Sequence, residues 1–317
     1  MKALILGIGG QDGSYLADVL LEQGAEVHGL YRHASYDNLT RITHCRDRLT
    51  LHRGDLTDLT TLQRVIRDAA PDEIYNAADQ DHVGWSAQIP LVNWDVTSKA
   101  VAGLLEVVRQ TRPAARVYQP ISSTVFGLAK HYQCEDTPLN PLSHYACCKA
   151  AAWHACRYYR QVYGLFVCCA VLYNHDSPRR KPGYLLQDLL AKARKVTTGE
   201  AETLSVGAMD QIVDIGYARE YAEAACRMLR YDAPLDYIIC SGSIWTIAGV
   251  ARECLRQLGV SGAGELVVED PGLGNPGPVP TLAGDGRRAE QLLGWRAETK
   301  IPDLIHMLLT SAERART

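Results

Sequence analysis

The chain has 317 residues, 47% of them hydrophobic, enough to fill the core of one large α/β domain with a smaller lobe. A net charge of −3 and a pI near 6.4 provide no basic field, which argues against nucleic acid as a partner. No apolar run approaches the length of a membrane span, and the opening MKALILGIGG lacks the layout of a secretory signal, so the expectation is a cytoplasmic protein without a membrane partner.

Residues 2–7, KALILG, form a short apolar run ending at glycines and predict a strand; residues 13–24 carry a helical pattern, and AEVHGLY predicts a second strand. This is a βαβ opening. The intervening GIGGQDG supplies Gly7, Gly10 and Gly13 between strand and helix, where glycine permits a tight turn and a close approach of backbone to a pyrophosphate resting on the helix N-terminus. The second strand ends in GLYRHAS, with Arg32 where NAD enzymes usually carry an acid for the ribose hydroxyls. A guanidinium suits an adenosine 2′-phosphate, so NADP is expected rather than NAD; the alternative is a solvated arginine. Asp55, in HRGDLTD, is placed either to meet the adenine amino group or to cap a turn.

Further apolar runs at DEIYNAA, ARVYQPISS and GLFVCCAVLY alternate with helical stretches over 97–109 and 145–163, which predicts a doubly wound parallel sheet. After Asn174 the texture changes. HDSPRRKPG reads as a loop, QDLLAKARK as a helix, and DPGLGNPGPVP as a second Pro/Gly loop. Residues 1–175 are therefore expected to form mainly a Rossmann-type NAD(P)-binding domain, and 176–317 mainly a small C-terminal substrate lobe with some segments returning to the sheet. Ten cysteines include the adjacent pairs Cys147–Cys148 and Cys168–Cys169, with no CxxC or Cys/His metal spacing. Reduced packing residues, and no metal, are the expectation.

Tyr145 and Lys149, in YACCK, lie four residues apart on one helical face. An ammonium beside a phenol lowers its pKa, so the tyrosine can take a proton from an alcohol as hydride leaves the same carbon. With the glycine motif upstream and Ser122 between, the chain resembles the extended short-chain dehydrogenase/reductase family, and within it the GDP-mannose 4,6-dehydratases. The matching stretches are GIGGQDGSYLADVLLEQGAEVHGLYR, NLTRITH, HRGDLTD, the YN and QxHV of YNAADQDHV, YACCK and LYNHDSPRR, which cover most of residues 1–180. The resemblance implies a cofactor site of Gly7, Gly10, Gln11, Asp12, Gly13, Arg32, Asp55, Leu56 and Ala78 with Tyr145 and Lys149. It also implies a substrate site of Ser122, Ser123, Thr124, Asn174, Arg179 and Arg180. The NLTRITH loop would contact NADP, often across a subunit interface, implying a homodimer or homotetramer.

The chain also departs from the pattern. Dehydratases carry an acid in the loop ISSTVFG to remove the C5 proton; its position here is Thr124, whose hydroxyl is too weak for that step. Two carboxylates stand where the family usually has Ala and Ser: Asp81, a candidate relocated acid or base, and Asp79, expected nearer the cofactor phosphates. His144 before Tyr145 is a further acid/base candidate, and His82 a packing residue. Val213, Asn275 and Gln187 replace arginines that grip the nucleotide diphosphate. The leading expectation is an NADP-dependent enzyme using Ser122, Tyr145 and Lys149 for hydride transfer at a secondary alcohol or ketone, at C4 of a nucleotide sugar, with epimerase or ketoreductase chemistry favoured over 4,6-dehydration. The alternatives are a dehydratase using Asp81 or His144, an oxidoreductase acting on a substrate without a nucleotide, and a cofactor-binding regulatory protein without turnover.

Overall fold

A computed structural model describes residues 1–129, 132–273 and 280–314. The βαβ opening comprises β1 (Lys2–Leu6), α1 (Gln11–Glu22) and β2 (Glu26–Tyr31). A 3-10 helix over Thr40–Arg48 precedes β3 (Leu49–Arg53), α2 (Leu59–Ala69) and β4 (Glu73–Asn76). Two short helices, α3 (Val83–Ser86) and α4 (Pro90–Trp94), lead through a π-helical turn at Asp95–Lys99 into α5 (Ala100–Thr111). Then come β5 (Arg116–Ser122), α6 (His144–Tyr163), β6 (Val167–Leu172) and β7 (Asn174–Asp176). The remainder alternates α7 (Leu185–Thr197), β8 (Leu204–Val206), β9 (Ile212–Tyr217), α8 (Ala218–Arg230), β10 (Asp236–Ile239) and β11 (Ile244–Thr246). It closes with α9 (Ile247–Gln257), β12 (Val267–Glu269), α10 (Arg287–Leu293) and α11 (Ile301–Arg314).

Seven strands form one parallel sheet in the order β10-β6-β5-β4-β1-β2-β3. Such a sheet must be covered on both faces, which is why β1 and β6 are almost wholly apolar and buried, and why all four residues of β4, Glu73 and Asn76 included, are buried. One core cluster joins the sheet to α1 and α8, and a second joins it to α2, α5 and α6. Cys168 belongs to the first and Cys169 to the second: successive strand residues face opposite ways, so this pair cannot bridge. All ten cysteines are free. The strand order reverses between β1 and β4, which opens the crevice where α/β sheets of this kind hold ligands, outside the strand C-termini.

Beyond β6, β10 belongs to the large sheet, while β11-β9-β7 and β12-β8 form two small sheets packed with α7, α9 and α11 around a third core cluster. Among the elements that the sequence expectation did not name, two belong to the first half of the large sheet. Edge strand β3, LTLHR, has no fully buried residue and so no apolar run to betray it. Helix α2 is amphipathic and begins at Asp58, whose carboxylate accepts from the Thr60 amide at 3.0 Å. No helix among the described residues is long and apolar enough to cross a membrane.

Candidate active site

The glycine loop joins β1 to α1. Gly7 adopts φ +80°, and a Cβ there would stand 2.8 Å from the Ala77 carbonyl and the Ala78 backbone. A Cβ on Gly13 would reach the Gly7 carbonyl oxygen at 2.3 Å, so strand and helix can approach this closely only with glycine. Gly10 is the N-cap of α1 and makes no side-chain cap, leaving the helix N-terminus suited to an anionic ligand. The residues present thus fit a dinucleotide cofactor. Gln11 accepts from Ser177 Oγ at 2.8 Å and donates to Asp12, tying the loop to the segment after β7.

Asp12 reaches His175 Nε2 at 3.0 Å, a pairing that sequence analysis did not find because 163 residues separate the two. Burial pushes the Asp12 carboxyl up, but the His175 charge and hydrogen bond and the Arg180 charge carry it well below the usual range. His175 shifts the other way: burial lowers its pKa, and Asp12 more than offsets that, raising it.

Arg32 is exposed at the end of β2, with no side-chain partner among the described residues. Asp55 accepts from the Thr57 amide at 2.9 Å and from its hydroxyl at 2.7 Å, so it caps a turn, and Leu56 beside it is buried. The NLTRITH segment folds back within its own chain. Arg41, half-buried there, donates to the Gly9 carbonyl at 3.3 Å and to the Arg179 carbonyl at 2.6 Å.

β5 delivers Ser122 at its C-terminal end, and α6, capped by Ser143, presents Tyr145 and, one turn on, Lys149. Tyr145 is only 7% exposed, and the Ser122 hydroxyl bears on its phenol, opposing the rise in its pKa. Lys149 Nζ donates to the Pro120 carbonyl at 2.8 Å and lies 5.7 Å from the Tyr145 ring centroid. The three residues expected to carry the chemistry therefore meet at the strand C-termini. Thr124 shares a 2.9 Å hydrogen bond with Ser122, and Ser123 is buried beside them.

Asp79, expected nearer the cofactor phosphates, is engaged by Lys149. Its Oδ2 stands 2.6 Å from Lys149 Nζ, while its Oδ1 accepts from the Thr97 hydroxyl at 2.6 Å and the Gln80 amide at 2.8 Å. Asp81 also bears on the Tyr145 phenol but is engaged, accepting from the Tyr184 hydroxyl at 2.7 Å and pairing with Arg180 at 3.3 Å. Burial, then the Asp79 and Asp81 charges, push the Tyr145 phenol well above its ordinary pKa against the opposing pull of Ser122 and Arg180. His82 caps α3 by accepting from the Trp85 amide, stacks on Trp85 and meets the Tyr184 ring edge-on, so it packs against its neighbours.

Three more of the expected site residues are placed as follows. Arg179 turns from the substrate site to α1, where it pairs with Asp18 at 2.6 Å, bonds Ser14 and covers the Tyr15 ring. His144 is exposed and forms no side-chain hydrogen bond among the described residues, because the first position of α6 faces outward. Asn174 is exposed on β7. Arg180 does reach the site, its guanidinium 3.5 Å over the Tyr184 ring. Gln187 donates to buried Asp176 at 2.6 Å, and Val213 packs in the lobe core; Asn275 lies outside the described residues.

The family model described as "GDP-mannose 4,6 dehydratase" matches residues 4–308. The chain is 35% identical to the GDP-mannose 4,6-dehydratase of Yersinia enterocolitica, covering 96% of this chain and 91% of that protein. It is 36% identical to GDP-mannose 4,6 dehydratase 2 of Arabidopsis thaliana, covering 97% and 85%. Among solved structures, the dTDP-glucose 4,6-dehydratase of Bacillus anthracis in complex with NAD superposes with a TM-score of 0.85 at 20% identity, covering 99% of this chain and 97% of that one. The UDP-glucose 4-epimerase of Thermotoga maritima with UDP-glucose gives 0.88 at 18% identity over the whole of both chains. These likenesses show the shared Rossmann-type fold. The chain belongs to the GDP-mannose 4,6-dehydratase family of NAD(P)-dependent enzymes.

Proposed function

We propose that the protein is an NADP-dependent enzyme that moves hydride at a secondary alcohol or ketone, at C4 of a nucleotide sugar, and that its net reaction is epimerisation or ketone reduction rather than 4,6-dehydration. The observation that carries this reading is the meeting of Ser122, Tyr145 and Lys149 beside Thr124, with no unengaged carboxylate against the phenol among the described residues: Asp79 is taken by Lys149 and Asp81 by Arg180 and Tyr184. When bound, the nicotinamide supplies or accepts the hydride. Tyr145 exchanges a proton with the substrate oxygen, Ser122 bonds that oxygen, and Lys149 holds its charge near the phenol from the Pro120 carbonyl.

Dehydration through Asp81 is the second reading, favoured by the dehydratase relatives and by the face that Asp81 turns to Tyr145. Exposed Arg32 supports NADP, whereas several solved fold relatives were determined with NAD. A homodimer or homotetramer is supported by apolar side chains left open on α3, α4 and α6, among them Trp85 at 59% and Leu91 at 77% exposure, and sedimentation tests it. The reaction is tested by incubation with a panel of nucleotide sugars and either cofactor in deuterated water, followed by mass spectrometry. Conversion without loss of mass other than deuterium exchange supports epimerisation, and a gain or loss of two hydrogens with matching cofactor turnover supports simple reduction or oxidation. A product lighter by one water would overturn the preference for both.

A further inference from the structure

We propose that Asp79 is a positioning residue for Lys149: its carboxylate, locked by the Thr97 hydroxyl and the Gln80 amide, holds and neutralises the ammonium, so that Tyr145 works as a phenol that gives a proton to a carbonyl oxygen. The geometry is specific. Lys149 has three N–H donors, one spent on the Pro120 carbonyl at 2.8 Å, with Asp79 Oδ2 at 2.6 Å from the same nitrogen. Both partners are shielded, the side chains being 3% and 13% exposed, so the pair is screened little by solvent. Asp79 Oδ1 is held from two elements, the loop after β4 and the turn before α5, which leaves the carboxylate little freedom to swing away.

The charges facing the phenol come from three segments, and two more add neutral hydroxyls. The loop after β4 contributes Asp79 and Asp81, α6 contributes Lys149, the segment after β7 contributes Arg180, and the start of α7 contributes the neutral Tyr184 hydroxyl; β5 adds only the Ser122 hydroxyl. Two anions against two cations sum to zero. A lysine standing alone would favour the phenolate, but here its field is cancelled at close range, and the buried phenol stays protonated. In the reducing direction the Tyr145 O–H bond breaks and an O–H bond forms on the substrate as the neighbouring carbon receives hydride from reduced cofactor; solvent then reprotonates the phenolate. In the oxidising direction the same step needs the phenolate first, so it gains from alkaline pH.

This direction rests on the hydride-transfer reading above, but the ionisation of Tyr145 is measured without substrate, so failure of one is distinguishable from failure of the other. The test uses the full chain as Asp79→Asn and Asp79→Ala, each with and without Tyr145→Phe, and follows tyrosinate by ultraviolet absorbance against pH. The component lost with Tyr145→Phe is expected to titrate about one pH unit lower in either Asp79 variant than in the parent. Thr97→Val, which keeps the charge and the Gln80 bond but loosens the carboxylate, is expected to move it much less than either Asp79 variant does. With active substrate, the alkaline rise of kcat/KM for oxidation should move down by the same amount. A Tyr145 ionisation that is unchanged in folded Asp79→Asn, or a rate that falls with no movement of the pH profile, would overturn the role and leave Asp79 a structural ion-pair partner.

Discussion

Substituting Gly13 by alanine tests whether the glycine loop is shaped by packing or by its ligand. The new Cβ would lie 2.3 Å from the Gly7 carbonyl oxygen, 2.8 Å from Ile8 Cα and 2.9 Å from the Gly7 carbonyl carbon. All three are backbone atoms, so no side chain can swing aside; the start of α1 must move by about 1 Å against β1, at an overpacking cost of about 1–3 kcal/mol. At roughly 2–4 °C per kcal/mol for a domain of some 150–250 residues, the apo protein should melt several degrees lower. The displaced helix N-terminus should also lose cofactor affinity, by about tenfold or more. Gly10→Ala separates the two effects, because its Cβ would meet only the Gly7 carbonyl at 3.2 Å and otherwise occupies the face left for pyrophosphate. That variant should keep most of its melting temperature and still lose NADP(H) binding. Gly24→Ala, with φ +75° and nothing within 4 Å, should lose about 1 kcal/mol of stability and no affinity. The assays are thermal melting without cofactor and calorimetric titration with NADP(H). A Gly13→Ala protein that melts and binds like the parent would refute the packing argument.

Tyr145→Phe should lower kcat by about 10²–10⁴ with its melting temperature nearly unchanged, since the phenol oxygen is spent on the site and not on the core; steady-state kinetics checks this. Thr124→Glu should restore a carboxylate beside Ser122, and mass spectrometry should then detect some product lighter by one water. Asp176 is buried, and burial, only partly opposed by the Gln187 and Ser177 hydrogen bonds, pushes its carboxyl up to about 6. The native state therefore holds a proton that the unfolded chain releases near pH 4, so this group costs stability progressively as pH rises from about 4 to about 6. Both hydrogen bonds to Asp176 fall on Oδ1, so Asp176→Asn can keep them, and it should gain up to roughly 3 kcal/mol at pH 7 and almost nothing at pH 4. Denaturant unfolding at the two pH values measures the difference, and an equal effect at both would reject the buried-charge account.

The βαβ opening, the parallel sheet, the glycine loop and the pairing of Tyr145 with Lys149 were legible in the chain because local periodicity and spacing dictate them, while the place of Ser122 beside them was implied by the family resemblance. Apolar runs must be strands buried on both faces, three glycines between strand and helix permit one tight turn, and a Tyr-x-x-x-Lys spacing places both side chains on one helical face. Edge strand β3 was not legible, since a half-solvated strand needs no apolar pattern. The charge partners were not legible either. Asp79 finds Lys149 and Thr97, Asp12 finds His175, and Arg179 finds Asp18 across 70, 18, 163 and 161 residues of chain respectively. An ion pair is chosen by which side chains the packed layers bring within reach and by how much water they exclude there, and both are properties of the folded chain. Sequence alone determined which groups exist for the chemistry; tertiary structure decided which of them neutralise one another.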